Sequence, residues 1–178
     1  MSTDSLLQST PRGLYCQAGD FFVDPAQPVE RAVITHAHSD HARRGCRHYL
    51  AAADGEALLR SRMLPEADFQ FLRYSEEIQV RGVTVSLHPA GHMLGSAQVR
   101  LEHRGRVAVV TGDYKLGRDP TCPSWEAIRC HLFVTESTFG LPVYRWESDA
   151  SAMDAVNRWW RDSQDAGKCC VLYGYAIG

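Results

Sequence analysis

The sequence predicts an α/β fold with mixed β-sheets flanked by helices, and three observations support this. Short apolar runs rich in β-branched residues recur along the chain, and several end directly in a polar segment. Other segments alternate around Gly-containing turns, as antiparallel hairpins do. Longer stretches with helical spacing lie among and after these runs. With 178 residues, 44% of them hydrophobic, the chain fits one globular domain.

The strands are predicted from apolar runs and the helices from capping residues and spacing. The predicted strands, in chain order, cover residues 14–16, 21–23, 31–34, 48–51, 78–80, 83–87, 97–102, 106–110, 131–134 and 169–173. Asp54 is a candidate N-cap for a helix over residues 56–63. Ser148 or Asp149 caps the last helix. Its predicted buried stripe consists of Met153, Val156 and Trp160.

Residues 35–41, with the sequence T-H-A-H-S-D-H, directly follow the predicted strand 31–34. Three imidazoles and one carboxylate in so short a segment suit zinc and similar divalent metals. His36 and His38 are two residues apart and can share an ion, whereas Asp40 and His41 can turn to a second one. One tetrahedral zinc would be overfilled by all four, so the spacing favours two ions about 3.5–4 Å apart. The alternative is a polar, His-rich turn without metal.

Three more candidate ligands follow apolar strands. His92 lies in a loop flanked by Gly91 and Gly95, where a scaffold can present a ligand. Asp113 follows the apolar run 107–110, and a carboxylate there is costly unless a partner such as a metal neutralises it. The alternative for Asp113 is an ordinary turn. Glu136 follows strand 131–134, which is predicted to be buried, so His36, Asp113 and Glu136 are expected to converge on one edge of a sheet.

Side chains near the histidine motif have two interpretations each. Asp24 precedes Pro25 and is either a carboxylate that orients a metal-bound histidine or a turn residue. Arg43, Arg44 and Arg47 form a basic cluster that could receive phosphates, although a solvated helix face is the favoured explanation. Seventeen of the 19 basic residues are arginine, which suits bidentate phosphate contacts but is also an ordinary compositional bias.

Charge and composition point to a cytoplasmic protein. The net charge of −2 gives no bulk electrostatic argument for binding nucleic acid. No apolar run approaches the ~20 residues of a membrane span, so no membrane association is expected. The N-terminus has no hydrophobic signal-peptide region. The six cysteines form no C-x-x-C pair, which favours reduced thiols.

Four motifs together resemble a known family: T-H-A-H-S-D-H, A-G-H-M-L-G-S-A, T-G-D-Y and T-E-S-T-F-G, in this order. They are similar to those of the metallo-β-lactamase superfamily, and within it of the β-CASP nucleases. The chain most resembles the bacterial ligase-associated DNA exonucleases, also described as mRNA 3′-end processing factors. The resemblance implies the N-terminal part of a metallo-β-lactamase αββα sandwich over residues 1–178. The β-CASP insert and the C-terminal completion of the fold, with two further histidines, are not matched.

The resemblance also implies roles for individual residues. It assigns one zinc to His36, His38 and His92, the second zinc to Asp40 and His41, and a bridging position to Asp113. Two residues are implied as catalytic. Asp40 would hold and deprotonate the attacking water, and Glu136 would support a histidine beside the site. Asp24 matches the aspartate that precedes the histidine motif in the superfamily. Manganese is an alternative to zinc.

The implied function is that of a metal-dependent phosphodiesterase, a DNA exonuclease acting in DNA repair through water activated by two zinc ions. The expected substrate is nucleic acid, DNA rather than RNA, with a functional link to a DNA ligase. An RNA-processing nuclease of the same family is an alternative. Hydrolases of the glyoxalase II type share T-H-x-H-x-D-H, but the T-E-S-T-F-G and G-H-M-L-G-S-A segments argue against them. A catalytically incomplete metal-binding or partner-binding fragment is a further alternative, and the oligomeric state stays open.

Overall fold

The computed structural model describes residues 6–175. Its internal contacts divide the chain into two compact units, the first ending at Glu136 and the second beginning at Ser137. All β-strands of the described residues belong to the first unit. The prediction of one incomplete metallo-β-lactamase domain over the whole chain stays a prediction.

The first unit contains two β-sheets. The first sheet has its strands in sequence order: β1 (Gln8–Thr10), β2 (Gly13–Cys16), β3 (Phe21–Val23), β4 (Arg31–Val33), β5 (His48–Ala52) and β6 (Asp68–Leu72). Pairing is antiparallel from β1 to β3 and parallel from β3 to β6. The sheet is therefore mixed, with parallel strands around β4, the strand that leads into the histidine motif.

The second sheet is mostly antiparallel. Its strands are β7 (Glu77–Val80), β8 (Val83–Pro89), β9 (Ala97–His103), β10 (Arg106–Val110) and β11 (Leu132–Val134), in the spatial order β11-β10-β9-β8-β7. Among its described strands, only the β10–β11 pair is parallel, with Val110 opposite Val134. Two successive antiparallel pairings make β8 parallel to β10. The carboxyl ends of β8, β10 and β11 therefore lie at the same edge of the sheet.

The core lies between the two sheets and behind the first one. Alternate residues of both sheets face each other and are fully buried, among them Phe21, Val23, Val85, Leu87 and Val99. A second cluster covers the other face of the first sheet, where Leu59 of a short helix packs with residues of β4, β5 and their loops. A helical layer and two sheets thus form the first unit, which confirms the predicted α/β class with mixed sheets.

The N-cap of the first helix differs from the prediction, whereas that of the second helix agrees with it. The first helix, α1 (Glu56–Arg62), follows a 3-10 turn over Ala53–Gly55. Its N-cap is Gly55, which makes no side-chain cap bond, so the prediction of Asp54 as N-cap was wrong by one residue. The second helix, α2 (Asp149–Asp165), lies in the second unit, and the hydroxyl of Ser148 accepts from the Ser151 N–H as predicted.

Two predicted burials and one predicted strand are wrong, because an apolar pattern alone does not supply a covering layer or a partner strand. Strand β11 forms, but Leu132 and Phe133 are 37% and 45% exposed on this edge strand. Residues 169–173 form no strand. The predicted stripe of α2 is not buried, since Met153 is 59% exposed. No helix between residues 6 and 175 combines the length and apolar character that a membrane span requires.

Candidate metal centre

The histidine motif lies where the edges of the two sheets meet. It follows β4 of the first sheet, and the carbonyl of Thr35 accepts a hydrogen bond from the N–H of Ala97, the first residue of β9, at 2.8 Å. His36 is 2% exposed. Because β4 belongs to one sheet and β8, β10 and β11 to the other, the expectation that His36, Asp113 and Glu136 converge on one edge of a single sheet was wrong. The site is assembled from both sheets.

The second sheet contributes its candidate site residues from the strand ends that share one edge. His92 follows β8, Asp113 follows β10 and Glu136 follows β11. Backbone hydrogen bonds hold these segments together, since the N–H of Thr111 donates to the carbonyl of Val134 at 3.0 Å. The parallel pairing of β10 with β11 therefore brings two acidic residues beside the histidine of the β8–β9 loop.

Four side chains bring donor atoms within 4.8 Å of one another: those of His36, His38, His92 and Asp113. Nδ1 of His38 lies 2.9 Å from Nε2 of His36 and 3.4 Å from Nε2 of His92. One carboxylate oxygen of Asp113 is 3.8 Å from Nε2 of both His36 and His92. Two ligands of one tetrahedral zinc, each about 2.0–2.1 Å from it, lie roughly 3.3 Å apart. The donor set and its spacing therefore fit one such ion.

A chain of hydrogen bonds fixes the ring of the most buried histidine. The hydroxyl of Thr35 donates to Oδ2 of Asp24 at 2.6 Å, so its lone pairs are free to accept. Nδ1 of His36 lies 3.0 Å from that hydroxyl and is therefore the protonated ring nitrogen. Nε2 of His36, which faces His38, keeps its lone pair. Metal-bound histidines characteristically donate their other ring N–H in this way.

Asp24 fixes a second histidine directly. Its Oδ2 lies 2.7 Å from Nδ1 of His41, and its Oδ1 accepts from the backbone N–H of Thr35 at 2.8 Å. Nε2 of His41 then faces Asp113 Oδ1 at 3.4 Å. Of the two sequence interpretations of Asp24, the geometry supports the carboxylate that orients histidines. Thr35 was not singled out from sequence, because a threonine next to a histidine carries no distinctive pattern.

The electrostatics of the site keep the most buried imidazole neutral. Burial, together with the neighbouring His41, His38 and His92, lowers the pKa of His36 to about 2. Burial also lowers the pKa of His92, and the negative charges of Asp113 and Glu136 oppose that shift. Burial disfavours charged His41 as well, but the hydrogen bond and charge of Asp24 outweigh it and raise its pKa. Neutral imidazoles are the form that binds metal.

The β8–β9 loop holds His92 by its backbone. The hydroxyl of Ser96 accepts from the N–H groups of His92 and Met93, at 3.1 and 3.2 Å. Gly91 has a positive φ of 73°, and a Cβ there would lie 2.5 Å from the carbonyl oxygen of Lys115. The two predicted glycines are therefore required by the turn and by close backbone contact. Ser96 was not identified from sequence.

The remaining predicted site residues lie around this cluster rather than in it. The Asp40 side chain is 78% exposed, with Oδ2 3.7 Å from Nε2 of His41. His41 thus lies beside Asp113 and Asp40 lies beside His41, both outside the four-residue group. Glu136 is half-buried, and its charge acts on His92. Their roles as ligands or catalytic groups stay predictions.

Comparison with known proteins identifies several relatives that match more than half of the chain. The chain is 32% identical over 168 residues to a protein named "Probable DNA ligase" from Opitutus terrae, covering 93% of this chain and 16% of the relative. It is 28% identical over 138 residues to an RNase J-like protein of Methanocaldococcus jannaschii, covering 65% of this chain and 33% of the relative. Cleavage and polyadenylation specificity factor subunit 3 of Dictyostelium discoideum is 29% identical over 111 residues, 60% of this chain and 14% of the relative.

The chain is a homologue of the β-CASP nucleases of the metallo-β-lactamase superfamily. The resemblance drawn from the four motifs is thereby confirmed. This β-CASP homologue spans only 14–33% of the length of the three relatives named above. No protein-family profile matches the chain. Among solved structures it is similar to a metallo-beta-lactamase from Cronobacter sakazakii, with 16% identity and a TM-score of 0.42 over 62% of this chain and 59% of that one.

Proposed function

We propose that this chain supplies the metal centre of a metal-dependent phosphodiesterase that cleaves nucleic acid. One observation carries the proposal: His36, His38, His92 and Asp113, from both sheets, bring their donor atoms within 4.8 Å of one another. The hydrogen bonds of Asp24 and Thr35 support it, because they turn ring nitrogens with free lone pairs toward this point. The relatives named as nucleases support the choice of nucleic acid over other phosphodiesters.

The four clustered residues would hold one ion, and Asp40 and His41, sharing Asp113, would hold a second. Zinc fits the donor set, and manganese is the alternative. Bound ions of this kind polarise phosphoryl oxygens and lower the pKa of water. The exposed carboxylate of Asp40 would take the proton of the attacking water, and Glu136, whose charge acts on His92, would support a histidine beside the site. Burial keeps His36 neutral and so available as a ligand.

We further propose that the substrate is DNA and that the activity is that of an exonuclease in DNA repair, linked to ligation. The relative from Opitutus terrae supports this, since its name refers to DNA ligation and its match covers 93% of this chain. RNA is the second candidate substrate, because other relatives are named as an RNase J-like protein and as endoribonucleases. A third candidate is a fragment that binds metal without turnover, since the chain spans a small share of its relatives.

A nuclease assay on matched substrates tests the proposal. The chain is incubated with zinc or manganese and with end-labelled single-stranded DNA or RNA of the same sequence. We expect metal-dependent cleavage that is faster on DNA than on RNA. Asp113→Asn should lower the rate of cleavage by about a hundredfold or more, because it removes a ligand that both ions would share. His103→Ala is the control, because the His103 ring bonds to the backbone carbonyl of Gly82 at a hairpin turn. Cleavage of RNA alone would replace the DNA proposal. Metal binding without cleavage of either would favour the non-catalytic fragment.

A further inference from the structure

A basic cavity of about 470 Å³ opens beside the histidine motif. Its walls come from the motif loop and from the end of α1, and they consist of Ser39, Ala42, Arg43, Arg44, Ser61, Arg62 and Met63. Three of these seven side chains are guanidinium groups and none is a carboxylate. Ser39 lies between His38 and Asp40, so this cavity and the candidate metal centre share one loop.

Two of the three arginines have no acidic partner in the described part of the chain. Neighbouring arginines are paired: Arg47 lies 3.2 Å from Glu30, and Arg60 lies 2.7 Å from Glu56. Between residues 6 and 175, no carboxylate lies within ion-pair distance of Arg43 or Arg62. Unpaired guanidinium groups on a concave surface leave their fork of donors available to an anion.

The third arginine holds the two walls together. Nε and Nη2 of Arg44 both donate to the carbonyl oxygen of Arg62, the last residue of α1. A cation at this position also interacts favourably with the negative end of the helix. The position of Arg44 is therefore explained by its contact with α1. Among the described residues, no such structural contact of the side chain explains Arg43 or Arg62, which also line the cavity.

The loop that presents Arg43 is anchored to the core. The phenol of Tyr49, which is 3% exposed, donates to the carbonyl of Arg43 at 2.9 Å and accepts from the N–H of Cys46 at 2.8 Å. Tyr49 lies on β5, beside the strand that leads into the metal centre. The backbone that carries Arg43 is thus fixed relative to the histidine motif, which lowers the entropic cost of binding.

We infer that this cavity binds a phosphate group of the nucleic-acid strand whose cleaved linkage lies at the metal centre. The inference rests on the proposed function and extends it by a phosphate subsite. Arg43 and Arg62 supply charge-assisted donors, Ser39 can add a hydroxyl, and Arg44 keeps the walls in place. The phosphate is either an internal diester of the strand or a terminal monoester, and both have the same anionic oxygens.

Binding measured without metal separates this subsite from catalysis. The full chain in EDTA is titrated with a fluorescent 15-nucleotide oligothymidylate at several salt concentrations. We expect Arg43→Ala and Arg62→Ala each to weaken binding about tenfold, as loss of one charge-assisted donor group entails. Each should also reduce the slope of log affinity against log salt by about 0.7. Arg47→Ala, which removes the same charge from an exposed ion pair, should leave affinity within about twofold.

Two further comparisons make the outcome decisive. Arg43→Lys keeps the charge and should keep the salt slope while losing affinity, because lysine lacks the guanidinium fork. A terminal phosphate is identified if a 5′- or 3′-phosphorylated oligonucleotide binds more tightly than the unphosphorylated one, and does so only when Arg43 is present. Equal affinities of the two oligonucleotides identify an internal phosphate. Salt slopes of Arg43→Ala and Arg62→Ala that match Arg47→Ala, or no binding by the unaltered chain, would overturn the inference. Binding without cleavage would leave it standing and defeat only the proposed enzymatic function.

Discussion

Asp24 shows how one residue outside the proposed ligands organises them. Its carboxylate accepts from the backbone and the hydroxyl of Thr35 and bonds to Nδ1 of His41. It does so from a left-handed backbone conformation, with φ of 43°, that costs free energy for a residue other than glycine. The strain is tolerated because the surrounding strands and three hydrogen bonds determine the position.

Replacing Asp24 with alanine should affect both folding and metal binding. The N–H of Thr35, a residue that is 1% exposed, would lose its partner, so we expect a loss of about 1–3 kcal/mol in the free energy of unfolding. Zinc affinity should fall about 10–100-fold, because the ring orientation of His41 and His36 is released. Urea denaturation and competition with a zinc chelator measure the two effects.

Asp54→Ala provides the matched control, since Asp54 is exposed in the 3-10 turn and caps no helix. Its zinc affinity should equal that of the unaltered chain. Equal zinc affinities of Asp24→Ala and Asp54→Ala would show that Asp24 is only a turn residue.

At the scale of single residues, site residues could be predicted where the side-chain chemistry is distinctive. Imidazoles and carboxylates placed directly after apolar strands predicted His36, His38, His92 and Asp113, which the structure brings together. The serine and threonine that position them were missed. A lone hydroxyl has the same local sequence context at a site as on a surface, and only its distance from a distant partner distinguishes the two.

At the scale of elements, the β8–β9 loop is positioned by the close approach of two glycines. Gly95 has φ of 79°, and a Cβ there would lie 2.2 Å from Cα of Gly55 in the turn before α1. No side chain can fit between these backbones. The contact fixes the loop that carries His92 against the 3-10 turn that precedes α1.

Gly95→Ala should therefore destabilise the protein by at least about 3 kcal/mol, since strain and a backbone clash add. Gly82→Ala is the matched control: its φ is 84°, but nothing lies within 4 Å of an added Cβ. It should cost only about 1 kcal/mol of backbone strain. Chemical denaturation of both variants measures the difference. Equal losses would mean that the two glycines do not pack closely in solution.

Strand positions followed from apolar and alternating patterns. The burial of each strand, and the pairing of strands that are distant in sequence, did not. The hairpins of β7 with β8 and of β9 with β10 were predicted because both strands and their turns are local in sequence. The burial of β11 was wrong, because an apolar triplet does not reveal whether its strand is central or at an edge. The division of strands between two sheets also depends on distant pairing, so the origin of His36 on a different sheet was not predictable.

At the scale of the molecule, the second unit differs in burial from the first. The first unit has extensive buried clusters between and behind its sheets. In the second unit, α2 has no buried residue along its 17 residues, and its large apolar side chains include Trp159 and Trp160, at 43% and 52% exposure. A helix without a buried face has little tertiary stabilisation.

Limited proteolysis should therefore cleave the second unit before the first. Trypsin sites at Arg145, Arg158 and Arg161 lie in this unit, and we expect early cleavage there with a protected fragment that extends beyond residue 130. Mass spectrometry of the early products identifies the sites. First cuts at Arg43 or Arg73, within the sheets and loops of the first unit, would contradict the expected order of stability.

The most direct test of the proposed centre is metal content per chain. The chain is saturated with zinc, freed of unbound ions by gel filtration and measured by inductively coupled plasma mass spectrometry. We predict at least one zinc per chain for the unaltered protein and for the control His103→Ala. His92→Ala should bind at least one zinc fewer per chain, because it removes a donor of the four-residue cluster. Equal zinc content in His92→Ala and the unaltered protein would contradict the assignment of this cluster as a metal site.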